Sequence, residues 1–154
     1  METTEIIKAF GERIGVAFNP DDDGTCAFEV DGLLVTISDL RVLDAVALVG
    51  DLGEPPPERL DALYKAMLEA NHLFGGTGGA TISFDPETGR FALCRVLPCR
   101  ILDIDSFYNE AERFVSTLER WVKIVHDFRA APPPEDNLDP PPMPIDHASG
   151  FIAV

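Results

Sequence analysis

The sequence predicts an α+β fold in which three helices accompany a five-stranded, mainly antiparallel twisted sheet, in the order α-β-β-β-α-β-β-α. Three observations indicate it: three segments space apolar residues by three and four, five short segments have the composition of strands, and glycine-containing turns join neighbouring strands. A chain of 154 residues, 45% of them hydrophobic, can fill one core and is too short for two. We therefore expect one domain over residues 1–130, followed by a tail.

The first helix is predicted over residues 3–14. Thr3 or Thr4 is available as its N-cap, and Gly15 closes the pattern. Its apolar residues share one helical face: Ile6, Ile7, Phe10 and Ile14.

A hairpin follows from Thr25, where the apolar period changes to two. Asp31-Gly32 is typical of a two-residue hairpin turn. The residues that share a face are Cys26, Phe28 and Val30 before the turn, and Leu33, Val35 and Ile37 after it. A third strand is expected over Val42–Val49, which is apolar at almost every position except Asp44, so alternation does not orient it.

The second helix opens after Pro55-Pro56-Pro57 and is apolar on two sides. One stripe consists of Leu60, Leu63, Tyr64, Met67 and Leu68, and an adjoining stripe of Ala62, Ala66 and Ala70. Together they span an arc of about 240°. A helix so widely apolar needs two neighbours, of which one is its own sheet. The second is predicted to be another copy of the chain, so we expect a homodimer whose interface includes Leu60, Ala62, Leu63, Ala66, Met67 and Ala70.

Two more strands and the longest helix follow a run of glycines at Gly75–Gly79. Strands are predicted over 80–84 and 91–97, joined by a turn at 85–89 that contains Pro and Gly. Pro98 ends the second of these strands, and Asp103 or Asp105 is placed to cap a third helix of about six turns. Its apolar stripe is Phe107, Ala111, Phe114, Leu118, Trp121, Val125 and Phe128.

The C-terminal residues have a different composition. From Pro132 onward, seven prolines occur in 23 residues. This predicts that residues 131–154 form an extended, mobile tail outside the core, in which Phe151–Val154 is the apolar part.

The charge balance excludes some partners. Lys and Arg number 12 against 27 Asp and Glu, which gives a formal net charge of -15. Such a surface repels nucleic acid and anionic lipid and attracts a basic or unfolded protein segment. The chain has no signal peptide and no apolar run near the roughly 20 residues that a membrane span needs, and its three cysteines are an odd number. We expect a cytoplasmic protein that binds neither nucleic acid nor membrane.

The glycine run lacks the features of a nucleotide loop. A Walker-type loop ends in Gly-Lys-Ser/Thr, whereas Ala80-Thr81 follows here. A dinucleotide loop lies between a strand and the N-terminus of a helix, whereas this run lies between a helix and a strand. We interpret it as a connection, with a small-ligand or nucleotide-binding regulatory domain that uses Gly75–Gly79 as the alternative.

Other candidate chemistry is equally weak. Asn19–Gly24 resembles the opening of a calcium loop, but Val30 stands where the closing carboxylate belongs, so an acidic turn is favoured. The cysteines fit no zinc spacing and are expected to pack as small hydrophobes, and the three histidines form no metal motif. No pattern indicates catalysis, a metal or a cofactor, so we expect a protein that is not an enzyme.

Apolar surface is then the best functional signal. Grooves for an extended peptide are predicted on the first helix and nearby strands, at Ile6, Ile7, Phe10, Leu34, Val42 and Val46. The plain alternative is that these residues belong to the core.

Between Leu60 and Val125 the residues resemble the class I type III secretion chaperones of bacteria, the Tir chaperone family. The segments that carry this resemblance are Leu68–Asn71, Leu73–Gly75, Gly78–Ala80, Phe84–Gly89, Leu97-Pro98 and Leu102-Asp103, followed by the helix with Phe107, Phe114 and Trp121. The first 50 residues fit by the order of elements. The Pro-rich residues after Arg129 depart from the family pattern.

The resemblance implies a small cytoplasmic homodimer of bacterial virulence, without ATPase activity and without a cofactor. Such proteins hold the N-terminal chaperone-binding segment of a secreted effector in an extended, non-globular form. The second helix, together with the strand over 80–84, would form the dimer surface, and the first helix with its neighbouring strands would form the effector groove. The acidic surface would contact the secretion ATPase or confer solubility alone. A third hypothesis is an adaptor in which 132–144 binds a partner as polyproline II.

Overall fold

The computed structural model describes residues 2–130, and its helices and strands follow the predicted order. They are α1 (Thr3–Ile14), β1 (Thr25–Val30), β2 (Leu33–Leu40), β3 (Ala45–Gly53), α2 (Leu60–Asn71), β4 (Thr81–Asp85), β5 (Arg90–Pro98) and α3 (Ile104–Ala130). Short 3-10 turns lie at Arg41–Leu43, His72–Phe74 and Cys99–Ile101. The predicted α+β class is confirmed. The expectation of an extended tail concerns residues 131–154, which lie outside the described part of the chain.

The five strands form one antiparallel sheet in the order β1-β2-β3-β5-β4. This order leaves β1 and β4 as the two edges. An edge strand presents one row of backbone N–H and C=O groups that its own sheet does not use. What covers each edge therefore decides where a further chain can join the sheet.

The turn between β1 and β2 forms as the sequence predicts. Asp31 and Gly32 adopt φ values of 50° and 79°, the left-handed conformation that a type I′ hairpin turn needs at both central positions. Val30 therefore pairs directly with Leu33, and the register continues to Thr25 opposite Ser38. The turn fixes the register, and with it the side of the sheet that each residue faces.

The predicted third strand is displaced: residues 42–44 do not belong to it. The chain first makes a 3-10 turn at Arg41–Leu43, and Asp44 takes a left-handed φ of 48° before β3 begins at Ala45. Val42 is 98% exposed at this turn. Two antiparallel neighbours need a reversal between them, and a run of apolar letters does not mark where it falls.

One face of the sheet shares a single core with the three helices. The core between them is built from alternate strand residues, among them Phe28, Val35, Leu48 and Leu93, and from apolar helix residues such as Phe107 and Trp121. The other face carries mainly small or polar side chains, with the larger apolar residues Leu34, Val49 and Val96 among them. The small and polar residues include Ala27, Thr36, Ser38, Ala47, Ser83 and Cys94.

The helix caps confirm one prediction and correct another. Asp103 caps α3, because its Oδ1 accepts a 2.7 Å hydrogen bond from the amide of Ser106. α1 is capped by Glu2 rather than by Thr3 or Thr4, through a reciprocal capping box with Glu5. Thr3 is instead buried, and its hydroxyl lies 3.2 Å from the Cys99 thiol.

Gly50 brings α3 close to the sheet. A Cβ at this position would lie 2.5 Å from the methyl carbons of Leu118, so a larger residue would push α3 away from β3. The absence of a side chain here lets the helix cross the middle strand directly.

Candidate functional site

An open groove of about 1260 Å³ runs between α1, the β1 edge and the first half of α3. Its lining is mainly apolar on the side of α1 and β1 and mixed on the side of α3. The lining residues include Phe10, Ile14, Val16, Phe28, Glu29, Val30, Tyr108, Asn109, Glu112, Arg113, Val115 and Ser116. A volume of this size with apolar walls is suited to a chain segment as well as to a small molecule.

The floor of the groove is a cluster of aromatic rings centred on Phe10. The Phe10 ring packs edge-on against Phe107 and Phe28, with ring centroids 5.1 and 5.5 Å apart, and stacks at 6.1 Å with Phe18. Edge-to-face pairs of this kind hold rings in fixed orientations. The floor is therefore preformed and does not need a ligand to organise it.

The β1 edge beside this groove offers free backbone groups. Val30 and Leu33 flank a two-residue turn, so they form a hydrogen-bonded pair, and such pairs alternate along an antiparallel ladder. The N–H and C=O groups of Ala27 and Glu29 consequently point away from β2. At Thr25 the outward groups are already used, because its amide donates to Asp21 Oδ1 and its carbonyl accepts from the Asp21 amide, both at 2.8 Å.

The β4 edge is closed at its centre by a side chain. The carboxamide of Asn71, at the end of α2, accepts a 2.9 Å hydrogen bond from the amide of Ile82 and donates a 3.1 Å bond to the Ile82 carbonyl. The side chain thus occupies the place of a neighbouring strand. Since edge strands attract further chains unless they are covered, this contact protects the centre of β4, where Phe84 alone keeps outward groups, and leaves β1, with Ala27 and Glu29, as the more open edge.

A second apolar surface lies around the end of α2 and β4. Leu68 is 70% exposed and Leu73 is 83% exposed, and they are accompanied by Tyr64, Phe74 and Phe84. Tyr64 and Phe84 both pack edge-on against the buried ring of Phe91, at centroid distances of 5.9 and 5.8 Å. We call these five residues the α2–β4 patch. Leu73 and Phe74 also adopt left-handed φ values of 50° and 57°, an uncommon conformation for apolar residues.

The glycine run at 75–79 is held as a structural connection. The amides of Gly75, Gly76, Thr77, Gly78 and Ala80 all donate to backbone carbonyls within residues 70–77. Its carbonyls accept from outside: that of Gly76 from Trp121 Nε1 and from the Arg120 guanidinium, each at 2.9 Å, and that of Gly79 from Arg95. A phosphate cradle needs free amides. Those five amides are occupied, so the geometry does not favour the nucleotide alternative.

The residues predicted for the dimer interface lie mostly inside the chain. Leu63, Ala66, Met67 and Ala70 are buried, and Leu60 and Ala62 are partly buried. The large apolar side chains that α2 turns outward are Tyr64 and Leu68, beside the charged Asp61, Lys65 and Glu69. The assignment of a dimer interface to this helix stays a prediction, and the α2–β4 patch is the surface available for it.

Of the six residues predicted to bind a partner, four are buried and two are exposed. Ile6, Ile7, Phe10 and Val46 are buried in the core, where Phe10 also forms the groove floor. Leu34 is 59% exposed on β2, and Val42 is exposed at the turn before β3. Sequence reasoning missed Tyr108 and Val115 on α3 and the backbone of Ala27. The first two lie beside the α3 stripe in the sequence, but the third has no signal in its residue type.

Among the described residues, little indicates a metal-binding or catalytic site. They contain no group of three or more His, Cys, Asp or Glu side chains placed to hold a metal ion, and none of their helices is long and apolar enough to cross a membrane. The Asn19–Gly24 turn is stabilised by Asp21, whose carboxylate accepts the amides of Asp23 and Thr25. Burial, together with the charge of Asp21, raises the pKa of the Cys26 thiol to about 11, so this thiol is not an activated nucleophile.

Comparison with protein families agrees with this arrangement. Residues 5–122 match the model of the Tir chaperone protein (CesT) family. This chain belongs to that family. The resemblance that the sequence shows between Leu60 and Val125 is thereby confirmed, and the match extends back to α1. No match was found among curated proteins.

Solved structures with the same fold as this Tir chaperone family member include several two-protein complexes. The ExsC–ExsE complex aligns at a TM-score of 0.69 with 19% identity, covering 81% of this chain and 97% of the other. The ExoU–SpcU complex from the type III secretion system of Pseudomonas aeruginosa aligns at a TM-score of 0.65 with 18% identity, covering 77% of this chain and 97% of the other. The HopA1–SchA chaperone–effector complex aligns at a TM-score of 0.63 with 19% identity, covering 83% of this chain and 93% of the other. At these identities the likeness concerns the fold.

Proposed function

We propose that this chain is a type III secretion chaperone that binds an extended segment of a secreted effector and keeps it non-globular. The observation that carries the proposal is the open β1 edge beside the groove. The outward N–H and C=O groups of Ala27 and Glu29 hydrogen-bond an added strand of the effector, and the alternate side chains of that strand enter the groove over Phe10 and Phe28. Binding of this kind requires no covalent step, so the protein acts without catalysis and without a cofactor.

The match to the Tir chaperone family and the likeness to structures of chaperone–effector complexes support this function. The effector segment pays an ordering cost when it binds, and main-chain hydrogen bonds together with apolar contacts in the groove offset that cost. The protein works in the bacterial cytoplasm, before the effector is secreted. Its acidic surface serves solubility, and a contact with the secretion ATPase is a further part of the proposal.

Amide hydrogen exchange tests where the segment binds. We expect the exchange of the Ala27 and Glu29 amides to slow by at least about tenfold when the N-terminal segment of a secreted protein from the same locus is added, because these amides gain a hydrogen bond. The amides of Cys26 and Phe28, which already bond to β2, serve as internal controls and should change little. NMR resolves the individual amides. Protection gained at Phe84 instead would place the segment on β4 and contradict the proposal.

We further propose that the chain forms a homodimer through the α2–β4 patch. The patch lies at the end of the helix predicted to face a second copy, and an exposed apolar surface of this kind is typical of a protein interface. Because the edge of β4 is covered by Asn71, the two copies meet through side chains rather than through a continuous sheet at Ile82.

Leu68→Glu is expected to separate this dimer. A carboxylate in an apolar interface loses its hydration without gaining a partner, so the mass from light scattering at micromolar concentration should fall from about twice 16.8 kDa to one chain. Leu68 is a better position than the buried Met67, where the same substitution would damage the core. Ile101→Glu, at a similarly exposed apolar residue after β5, is the matched control. A wild-type mass of one chain would refute the dimer.

A further inference from the structure

The two edges of the sheet differ in charge as well as in backbone coverage. Residues 19–40, which contain the open edge, carry six acidic side chains and no lysine or arginine. Residues 80–98, which contain the covered edge, carry two acidic side chains, Asp85 and Glu87, and two arginines. The edge that is more open to an added strand is therefore the one whose own strands and turns carry an excess of negative charge.

Five of these six carboxylates have no cationic partner among the described residues. Asp39 pairs with Arg41 at 3.0 Å, and Asp21 accepts backbone amides of its own turn. Asp22, Asp23, Glu29 and Asp31 form no ion pair with another described residue. Their charge is available to a bound chain.

Glu29 holds the decisive register position. Glu29 borders the groove, and its N–H and C=O groups point outward from the sheet. Its exposed side chain follows the opposite face, because the side chains of Phe28 and Val30 on either side of it pack toward the core. In a strand added to β1, the residue opposite Glu29 lies beside its carboxylate. The two neighbours of that residue point to the other face and enter the groove.

We propose that the open edge of β1 selects an extended partner segment with a lysine or arginine opposite Glu29 and an apolar residue on each side of it. This inference rests on the proposed function and adds the sequence pattern that the site prefers. Opposite charges directly across two strands stabilise the pair, and like charges destabilise it. Residues 131–154 of the chain itself carry four carboxylates and no lysine or arginine, so they do not satisfy this pattern.

The experiment uses two synthetic peptides and the full-length chain. Both are nine-residue acetylated and amidated peptides of alternating threonine and valine, fluorescently labelled, with a central lysine in one and a central glutamate in the other. Fluorescence anisotropy measures their Kd for the wild type at low salt. We expect the lysine peptide to bind at least about fivefold more tightly than the glutamate peptide. The lysine attracts the Glu29 carboxylate across the two strands, whereas the glutamate repels it.

The net charge of the chain also favours a cationic peptide, so two charge-reversed variants separate the local effect from the general one. Glu29→Lys and Glu87→Lys change the net charge equally, but Glu87 lies in the turn between β4 and β5. The preference is the Kd of the glutamate peptide divided by the Kd of the lysine peptide. We expect this ratio to fall at least about fivefold in Glu29→Lys and to stay within about twofold of the wild-type ratio in Glu87→Lys.

Equal preferences in the two variants, or equal binding of both peptides to the wild type, would overturn the role of Glu29 while leaving strand addition intact. Binding of neither peptide would remove both the charge selection and strand addition to β1. A preference that is lost in Glu29→Lys alone supports the proposal.

Discussion

Replacing Trp121 by alanine is expected to lower the free energy of unfolding by about 3–5 kcal/mol, the range for removing a large aromatic side chain from a core. Trp121 is fully buried in α3, and its Nε1 donates a 2.9 Å hydrogen bond to the carbonyl of Gly76. The substitution therefore leaves a cavity and also detaches the glycine run from α3. A domain of this size would lose about 10 °C in Tm.

Trp121→Phe separates the two contributions. Phenylalanine fills most of the ring volume but cannot donate, so we expect a loss of about 1 kcal/mol from the hydrogen bond and a small cavity. The Gly76 carbonyl keeps its second donor, Arg120, in this variant. Both variants are compared with the wild type by chemical denaturation at one protein concentration, because association shifts apparent stability. A loss below about 1 kcal/mol in Trp121→Ala would show that this contact does not anchor the fold.

Periodicity predicted most of the elements because burial on one side leaves a repeat in the sequence. Ile6, Ile7 and Phe10 mark the buried face of α1, and Phe28 and Val35 mark the buried face of the first hairpin. The Asp31-Gly32 turn also has a local physical signal, since few residue pairs tolerate two left-handed conformations. The start of β3 has no such signal, because the residues of the turn at Arg41–Leu43 are apolar and only their backbone reverses the chain.

The sequence does not show which side of α2 faces the core, and the reason differs from that for β3. A helix with an apolar arc of about 240° shows how much of its surface is apolar, but not which part meets its own core. The structure turns Leu63 and Met67 inward together with the alanines Ala66 and Ala70, and leaves Leu68 outside. Only the position of the sheet decides this, and that position depends on contacts distant in the sequence.

In the groove, the sequence predicts the apolar side chains but not which backbone edge is covered. The sequence predicts Phe10 as a partner-binding or core residue and Phe28 as part of the apolar face of the first hairpin. Both are buried, and both also line the groove. The difference between the two sheet edges depends on Asn71, a polar residue at a helix end whose carboxamide covers Ile82. A residue type alone cannot show that its side chain replaces a strand.

Ala27→Pro is expected to weaken the binding of the effector segment by at least about tenfold. Proline removes the outward amide of Ala27, which the added strand needs as a donor, and its ring occupies the space where that strand approaches. The fold should tolerate the change, because this amide makes no bond to β2 and proline is acceptable on an edge strand when its nitrogen faces solvent. Calorimetry with the segment used for hydrogen exchange measures the Kd.

The control for this variant is Ala27→Val, which keeps the amide, favours the strand conformation and should bind within about twofold of the wild type. Thermal unfolding of both variants shows whether any loss of binding comes from loss of structure. If Ala27→Pro folds and binds as tightly as the wild type, β1 does not receive the segment. Phe84→Pro on β4 then distinguishes the remaining possibilities, because Asn71 covers Ile82 but not the outward groups two residues further along that edge. A segment held by side-chain contacts in the groove alone would be insensitive to both prolines, and binding would then depend on Tyr108 and Val115 rather than on the backbone of either edge.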